Sequence, residues 1–171
     1  MIYDLEDPAS FVRQVADVLA PHGAFVFEQS YLPLMLERVA IDTICHEHLE
    51  YYGLRQIDWI LGAAGLEILD VEINDKIGGS FAVTAAHRGS FKISPAVQRL
   101  QDEESGLWVN LSVRLNQFRL SKEQLIKELR RFVQVELAKG KTFAALGAST
   151  KEVSCFRLPN SVRPKLLKLV M

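Results

Sequence analysis

The chain has 171 residues, enough for about one domain with its own hydrophobic core. Its hydrophobic fraction of 49% and charged fraction of 24% are typical of soluble globular proteins. Twenty basic residues and 21 acidic residues give a net charge of −1, which excludes a basic nucleic-acid surface, and no apolar run approaches the ~20 residues that a membrane span needs.

The chain start and the cysteines predict where the protein works. Residues 1–6 show no basic region followed by an apolar core, so we expect no secretory signal. Cys45 and Cys155 lie far apart in the sequence and have no partners at metal-binding spacing. Free thiols in a reducing compartment are the simplest interpretation, and we expect a cytoplasmic protein.

The first elements alternate between helix and strand. Asp7 followed by Pro8 is typical of a helix start, and residues 21–23 contain the proline and glycine that end the helix. Residues 24–28 form a short apolar run between turn signals. Such a run favours a buried strand of a parallel sheet.

The next segment, residues 29–52, is neither clearly helical nor clearly extended. Helical periodicity resumes over residues 57–64, and residues 66–73 and 80–86 have the pattern of strands. Because only a short loop, residues 74–79, connects these two strands, we expect them to pair antiparallel.

The second half of the chain is mainly helical. We predict one helix from Pro95 to about Gly106 and a longer one over residues 109–139. The longer helix carries an apolar stripe that we expect to be a core face: Leu125, Ile126, Leu129, Phe132, Val133 and Leu137. Residues 142–149 resemble a strand that runs into a glycine turn, as at the start of a second α/β unit.

The predicted fold class is therefore α/β: part of a doubly wound sheet with an antiparallel edge hairpin, followed by long helices and the start of a second α/β unit. We divide the chain at residues 1–90, 91–139 and 140–171. No glycine-rich strand-to-helix turn precedes the first helix, although such a turn usually supplies much of the cofactor site in these folds. We therefore expect a piece of a longer protein.

The most concentrated chemistry lies at residues 45–48, with the sequence Cys-His-Glu-His, which hold two of the four histidines. In an extended segment His46 and His48 would point to one face and Glu47 to the other. Three interpretations compete: a polar surface loop, a metal site built on the two histidines, and general acid–base catalysis, for which an imidazole is suited near neutral pH. The metal site would need a further ligand, and neither other histidine has a matching pattern.

Several stretches resemble S-adenosylmethionine-dependent sugar C-methyltransferases, which methylate a carbon of nucleotide-linked deoxysugars. Residues 31–37, with the sequence Tyr-Leu-Pro-Leu-Met-Leu-Glu, and 42–52, which contain the Cys-His-Glu-His run, resemble a loop of that family. Further matches lie in the family's order at residues 3–8, 19–23, 77–80 and 140–151. The resemblance implies that residues 1–90 are the C-terminal half of a class I methyltransferase domain, that residues 91–139 connect it, and that residues 140–171 begin a C-terminal domain.

The resemblance also implies a mechanism. A 4-keto group acidifies the neighbouring C3–H of the sugar, and His48 removes that proton, while Glu47 and His46 orient His48 or hold the sugar. The resulting enolate carbon accepts the methyl group of S-adenosylmethionine. The residues that this resemblance suggests for substrate contact are Tyr31, Tyr51, Tyr52, Asn74, Lys76 and Gly79.

The chain also departs from the family pattern. Cys45 replaces a tyrosine of some relatives, and the family's zinc-binding domain and glycine-rich cofactor turn have no counterpart. After Lys151 the expected glycine is replaced by Glu152, which a frameshift or truncation would explain.

These departures lead us to expect no retained cofactor-binding residue, no bound metal and no activity of this chain alone. The alternatives are a non-catalytic binding remnant, half of a split enzyme with a separately encoded N-terminal half, self-association through the sheet edge, and a small metal enzyme using His46 and His48. We expect neither nucleic acid nor a membrane as a partner.

Overall fold

The computed structural model describes residues 2–45 and 47–143, which form one three-stranded sheet and five α-helices. The strands are β1 (Phe25–Ser30), β2 (Leu66–Asn74) and β3 (Ser80–His87), in the spatial order β1-β3-β2. The helices are α1 (Pro8–Val18), α2 (Leu32–Arg38), α3 (Leu54–Ala63), α4 (Pro95–Val109) and α5 (Leu111–Ala138). Short 3-10 helices lie at Ile2–Asp4, Ile41–Thr43 and Lys76–Gly78.

The predicted starts of α1 and α4 are confirmed. The Asp7 carboxylate accepts the backbone N–H of Ser10 at 2.9 Å, which caps α1. Ser94 caps α4 in the same way. That helix continues to Val109, past its predicted end at Gly106. A single glycine costs an interior helical position only about 1 kcal/mol, which the packing of α4 against β2 and α3 can offset.

The sheet is antiparallel throughout the described residues. The predicted hairpin is confirmed, since β2 and β3 pair from Leu66–His87 to Asn74–Ser80, with an irregularity between Ile68 and Asp70. The apolar run at β1 was expected to lie in a parallel sheet, yet β1 pairs antiparallel with β3. The α/β class is thus confirmed, while the doubly wound arrangement and the division at residues 90 and 139 stay predictions.

One layer of helices covers one face of the sheet. Helices α3 and α4 pack on β2, and α1 packs on α3. The large, fully buried side chains of this core come from both layers: Val12, Leu54, Ile57, Leu61, Leu66, Ile68, Phe81 and Val83. Burying a large aliphatic or aromatic side chain contributes roughly 1.5–3 kcal/mol, so this layer stabilises the platform that carries the candidate site.

Helix α2 lies in the segment for which no regular element was predicted. Met35 and Leu36 are buried in a second apolar cluster with Ala40 and Phe118, so α2 packs against α5. Because α2 has seven residues, too few for a clear helical period, this distant packing decides its conformation.

The apolar stripe of α5 does not form the expected core face. Leu125, Leu129 and Phe132 are 43%, 38% and 57% exposed, and only Val133 among the stripe residues is buried. The described residues supply no second layer along this part of α5. No helix of the described ranges is both long and apolar enough to cross a membrane. The strand predicted over residues 142–149 lies almost entirely outside the described residues, as does the tail after Lys151.

Candidate functional site

His48 lies in the chain between the 3-10 helix Ile41–Thr43 and α3, and its ring contacts two tyrosine rings. Its backbone N–H donates to the Cys45 carbonyl at 3.2 Å, and its side chain is 7% exposed. The imidazole packs against the ring of Tyr3, with centroids 4.2 Å apart and planes tilted by 52°. The Tyr51 ring meets it edge-on at 6.2 Å. The expected base is therefore held in one position by packing.

The two nitrogens of His48 have different surroundings. Nε2 lies 4.0 Å from the Oδ1 atom of Asp4, a distance suited to an ion pair when the imidazole is protonated. Nδ1 is buried and has no hydrogen-bond partner in the described parts of the chain. Buried polar atoms almost always have a partner, and among the described side chains Nδ1 shares this unpaired state only with the Gln29 amide.

Tyr3 joins the start of the chain to the segment that carries His48. Its carbonyl accepts the backbone N–H groups of Leu49 at 2.9 Å and Glu50 at 3.3 Å. Burial, and next the nearby carboxylate of Asp4, raise the pKa of the Tyr3 phenol, so it stays neutral at physiological pH. Tyr3 thus supplies both a neutral aromatic surface and a backbone acceptor.

The other members of the Cys-His-Glu-His run are less informative. Glu47 is exposed and lies in a turn closed by the His48 N–H and the Cys45 carbonyl, so the alternation expected of an extended segment stays a prediction. His46 lies outside the described residues. In the described ranges no three His, Cys, Asp or Glu side chains are grouped so as to hold a metal ion, and the metal hypothesis, which needs His46, is not tested.

The three predicted tyrosines occupy different environments. The Tyr51 hydroxyl donates to the Thr43 carbonyl at 3.2 Å, and its ring flanks His48. Tyr31 and Tyr52 belong to the core and are almost fully buried. The Tyr52 hydroxyl donates to the Glu50 carboxylate. Burial is the main reason why the pKa of each of these three phenols is raised.

Asn74 and Lys76 form a second group at the turn between β2 and β3. Both donate to the Glu28 carboxylate at 3.0 Å, Asn74 through its amide and Lys76 through its ammonium group. Gly79 has φ of +118°, and a Cβ there would lie 2.7 Å from the Cβ of Leu34. Close packing against α2 therefore accounts for this glycine without a ligand.

Sequence reasoning assigned no role to Tyr3 or Asp4, the residues that the structure places against His48. Both lie in the stretch 3–8 that carried part of the family resemblance. That match was the available signal, but it could not show that a segment at the start of the chain packs against residues 48–50.

Two family models match the chain. Residues 75–171 match one described as the C-methyltransferase C-terminal domain, and residues 1–71 match one described as a methyltransferase domain. The C-methyltransferase NovU of Streptomyces niveus is 34% identical over 148 residues, which cover 86% of this chain and 35% of that protein. The chain thus spans about a third of the length of this curated relative.

Proposed function

The chain belongs to the C-methyltransferase family, and from this we propose that His48 is the base which activates the carbon to be methylated. The proposed substrate is a nucleotide-linked deoxysugar with a 4-keto group, and the proposed activity of the whole protein is S-adenosylmethionine-dependent C-methylation in the cytoplasm. The observation that carries the proposal is the buried His48 ring, with one nitrogen unpaired and the other beside a carboxylate.

The two ring nitrogens of His48 can have different roles in proton abstraction. A carboxylate near Nε2 favours a proton on that nitrogen, which leaves the lone pair on Nδ1. Nδ1 then accepts the C3 proton of the sugar, and the electrons of the broken C–H bond move into the enolate. The positive charge that forms on His48 is stabilised by Asp4 across the 4.0 Å between Nε2 and Oδ1. Nδ1 is covered in the free chain, so sugar binding must displace that cover; such alignment on binding is common in active sites.

The sugar contacts are proposed in two groups. Tyr51 and Glu47 flank His48 in space or in sequence and are proposed to contact the sugar, with His46 beside them. Tyr31 and Tyr52 are proposed to shape the site from the core. Asn74, Lys76 and Gly79 are weaker candidates, because each has a structural explanation in the β2–β3 turn.

S-adenosylmethionine is the methyl donor expected of the family. The described strand-to-helix connections are Tyr31, between β1 and α2, and residues 88–94, between β3 and α4, and neither is glycine-rich. The described residues therefore do not fit the usual cofactor turn, and the steps assigned to this chain concern the sugar and its proton. Methyl transfer by this chain alone is proposed to be absent.

The free edge of β1 is proposed as the place where a further strand pairs. Within the described residues β1 pairs only with β3, and Val26 on this strand is 63% exposed. An exposed apolar edge strand readily pairs with another strand. The proposed occupant is the N-terminal half of a methyltransferase domain, and self-association is the alternative.

Proton exchange tests the base without a methyl donor. The chain is incubated with a nucleotide-linked 4-keto sugar in D₂O, and deuterium incorporation at C3 is followed by NMR. We expect His48→Gln to reduce the rate by about 10²–10⁴-fold, whereas the exposed His22→Gln should leave it unchanged. An equal rate in His48→Gln, or no exchange of a sugar that demonstrably binds, contradicts the proposal.

A further inference from the structure

Glu104 is a buried carboxylate that points from the middle of α4 at the N-terminus of α3. It is 2% exposed. Its oxygens accept the backbone N–H of Leu54 at 2.5 Å and of Arg55 at 3.3 Å, and the indole N–H of Trp108 at 3.0 Å. The carboxylate thus satisfies N–H groups that the first turn of α3 leaves without helical partners.

A further polar group near Glu104 comes from the start of the segment that contains His48. The Tyr31 phenol lies near this carboxylate: burial first and Glu104 next raise the pKa of the phenol. Three N–H donors converge on the two Glu104 oxygens, which can accept all of them. The fit is close, since a Cβ on Gly53 would lie 2.9 Å from one Glu104 oxygen and 2.5 Å from the Trp108 ring.

We define residues 31–52 as the His48 segment. Its two ends meet: Tyr31 and Tyr52 form a parallel bridge, and the Leu32 N–H donates to the Tyr52 carbonyl at 2.9 Å. Glu104 accepts from the backbone just after Tyr52 and lies near the Tyr31 side chain at the other end. A side chain of α4 therefore lies where the two ends of this segment meet.

We propose that Glu104 is a positioning residue for His48, holding together the two ends of the segment from which His48 projects. Its link to catalysis rests on the proposed function of His48. Its effect on the segment does not, because that effect follows from the hydrogen bonds alone.

Amide hydrogen exchange of the chain tests the proposal without turnover. In Glu104→Gln an NH₂ group replaces one acceptor and faces donors. We expect the amides of Leu32, Leu49 and Leu54 to exchange about 10–100-fold faster, while those of Val83 in β3 stay unchanged. Glu103→Gln, an exposed neighbour with the same change in charge, should change none of them.

A second substitution can show whether the effect of Glu104→Gln comes from mismatched hydrogen bonds or from a general loss of stability. Trp108→Phe removes the indole donor that faces the new NH₂ group, so adding it to Glu104→Gln should partly restore slow exchange. Tyr31→Phe removes only the hydroxyl that lies near Glu104. If Glu104→Gln does not fold, Tyr31→Phe should still accelerate exchange of the segment. Unchanged exchange in the segment, or an equal rise in β3, overturns the proposal.

The sugar proton-exchange assay provides the catalytic readout. Glu104→Gln should lower the maximal rate more than it changes the sugar concentration at half-maximal rate, since the sugar contacts remain. An unchanged maximal rate overturns the catalytic part of the proposal. If the unchanged chain shows no sugar proton exchange, the proposed function fails, and the amide exchange result still decides whether Glu104 holds the segment.

Discussion

The imidazole of His48 packs against the phenol ring of Tyr3 with centroids 4.2 Å apart, and the carbonyl of the same Tyr3 accepts hydrogen bonds from the two residues that follow His48. The first 3-10 helix is therefore part of the candidate site. We expect a change at Tyr3 to alter both the stability of the chain and the position of His48.

Tyr3→Ala should destabilise the chain by about 2–4 kcal/mol, because it removes a packed aromatic ring and leaves space beside His48. Tyr3→Phe keeps the packed ring and nearly the same volume, so it should cost about 1 kcal/mol or less. Urea denaturation followed by circular dichroism measures both values. Equal losses in the two variants would show that the hydroxyl, and not the ring, supplies the stability.

Gly79→Ala should destabilise by about 2 kcal/mol or more, because the positive φ is strained for alanine and the added Cβ meets Leu34 at 2.7 Å. Gly89 provides a matched control: its φ is +79°, and a Cβ there meets nothing within 4 Å. Gly89→Ala should therefore cost about 1 kcal/mol, from backbone strain alone. The difference between the two urea midpoints reports the steric contact together with the greater backbone strain at φ +118°. A difference near zero would remove the packing explanation for Gly79.

The Glu28 group predicts a pH dependence. Hydrogen bonds from Lys76 and then Asn74 lower the pKa of the Glu28 carboxyl below its ordinary value of 4.5. A carboxyl with a lowered folded-state pKa stabilises the fold above its unfolded pKa, and this stabilisation is lost as pH falls through the folded value. The difference in melting temperature between the unchanged chain and Lys76→Met should therefore be greatest above about pH 5 and should shrink towards about pH 3. A difference that grows on acidification contradicts this prediction.

Because the apolar stripe of α5 is exposed, we expect polar substitutions in it to change stability little. Leu125→Gln and Leu129→Gln should each change stability by no more than about 0.5 kcal/mol, as at other exposed sites. Val133→Ala, at the buried position of the same helix, should cost about 1–3 kcal/mol. Thermal unfolding of the three variants decides the matter. A large loss in either leucine variant would show that the stripe is covered in solution.

Local patterns predicted the elements well where they were long or capped. Asp7 with Pro8, Ser94 with Pro95 and the β2–β3 loop each encode their structure within a few neighbouring residues, and all three predictions are confirmed. Helix α2 was not predicted, because it is short and is stabilised by contacts with α5.

Other features could not be predicted because they depend on distant residues. Periodicity showed that α5 is amphipathic but not whether another layer covers its apolar face. The sequence predicted His48 as a candidate base. It could not place Asp4 beside Nε2 or Glu104 beneath α3, since both contacts join segments that are far apart in the chain.

The hydrogen bond from Leu54 to Glu104 spans 50 residues, which affects how the protein is made. At roughly 5–20 residues per second, Glu104 is added about 3–10 s after Leu54 during synthesis. For that interval the N-terminus of α3 lacks its acceptor. The contacts that join the end of the His48 segment to α4 can therefore form only after most of α4 has been synthesised.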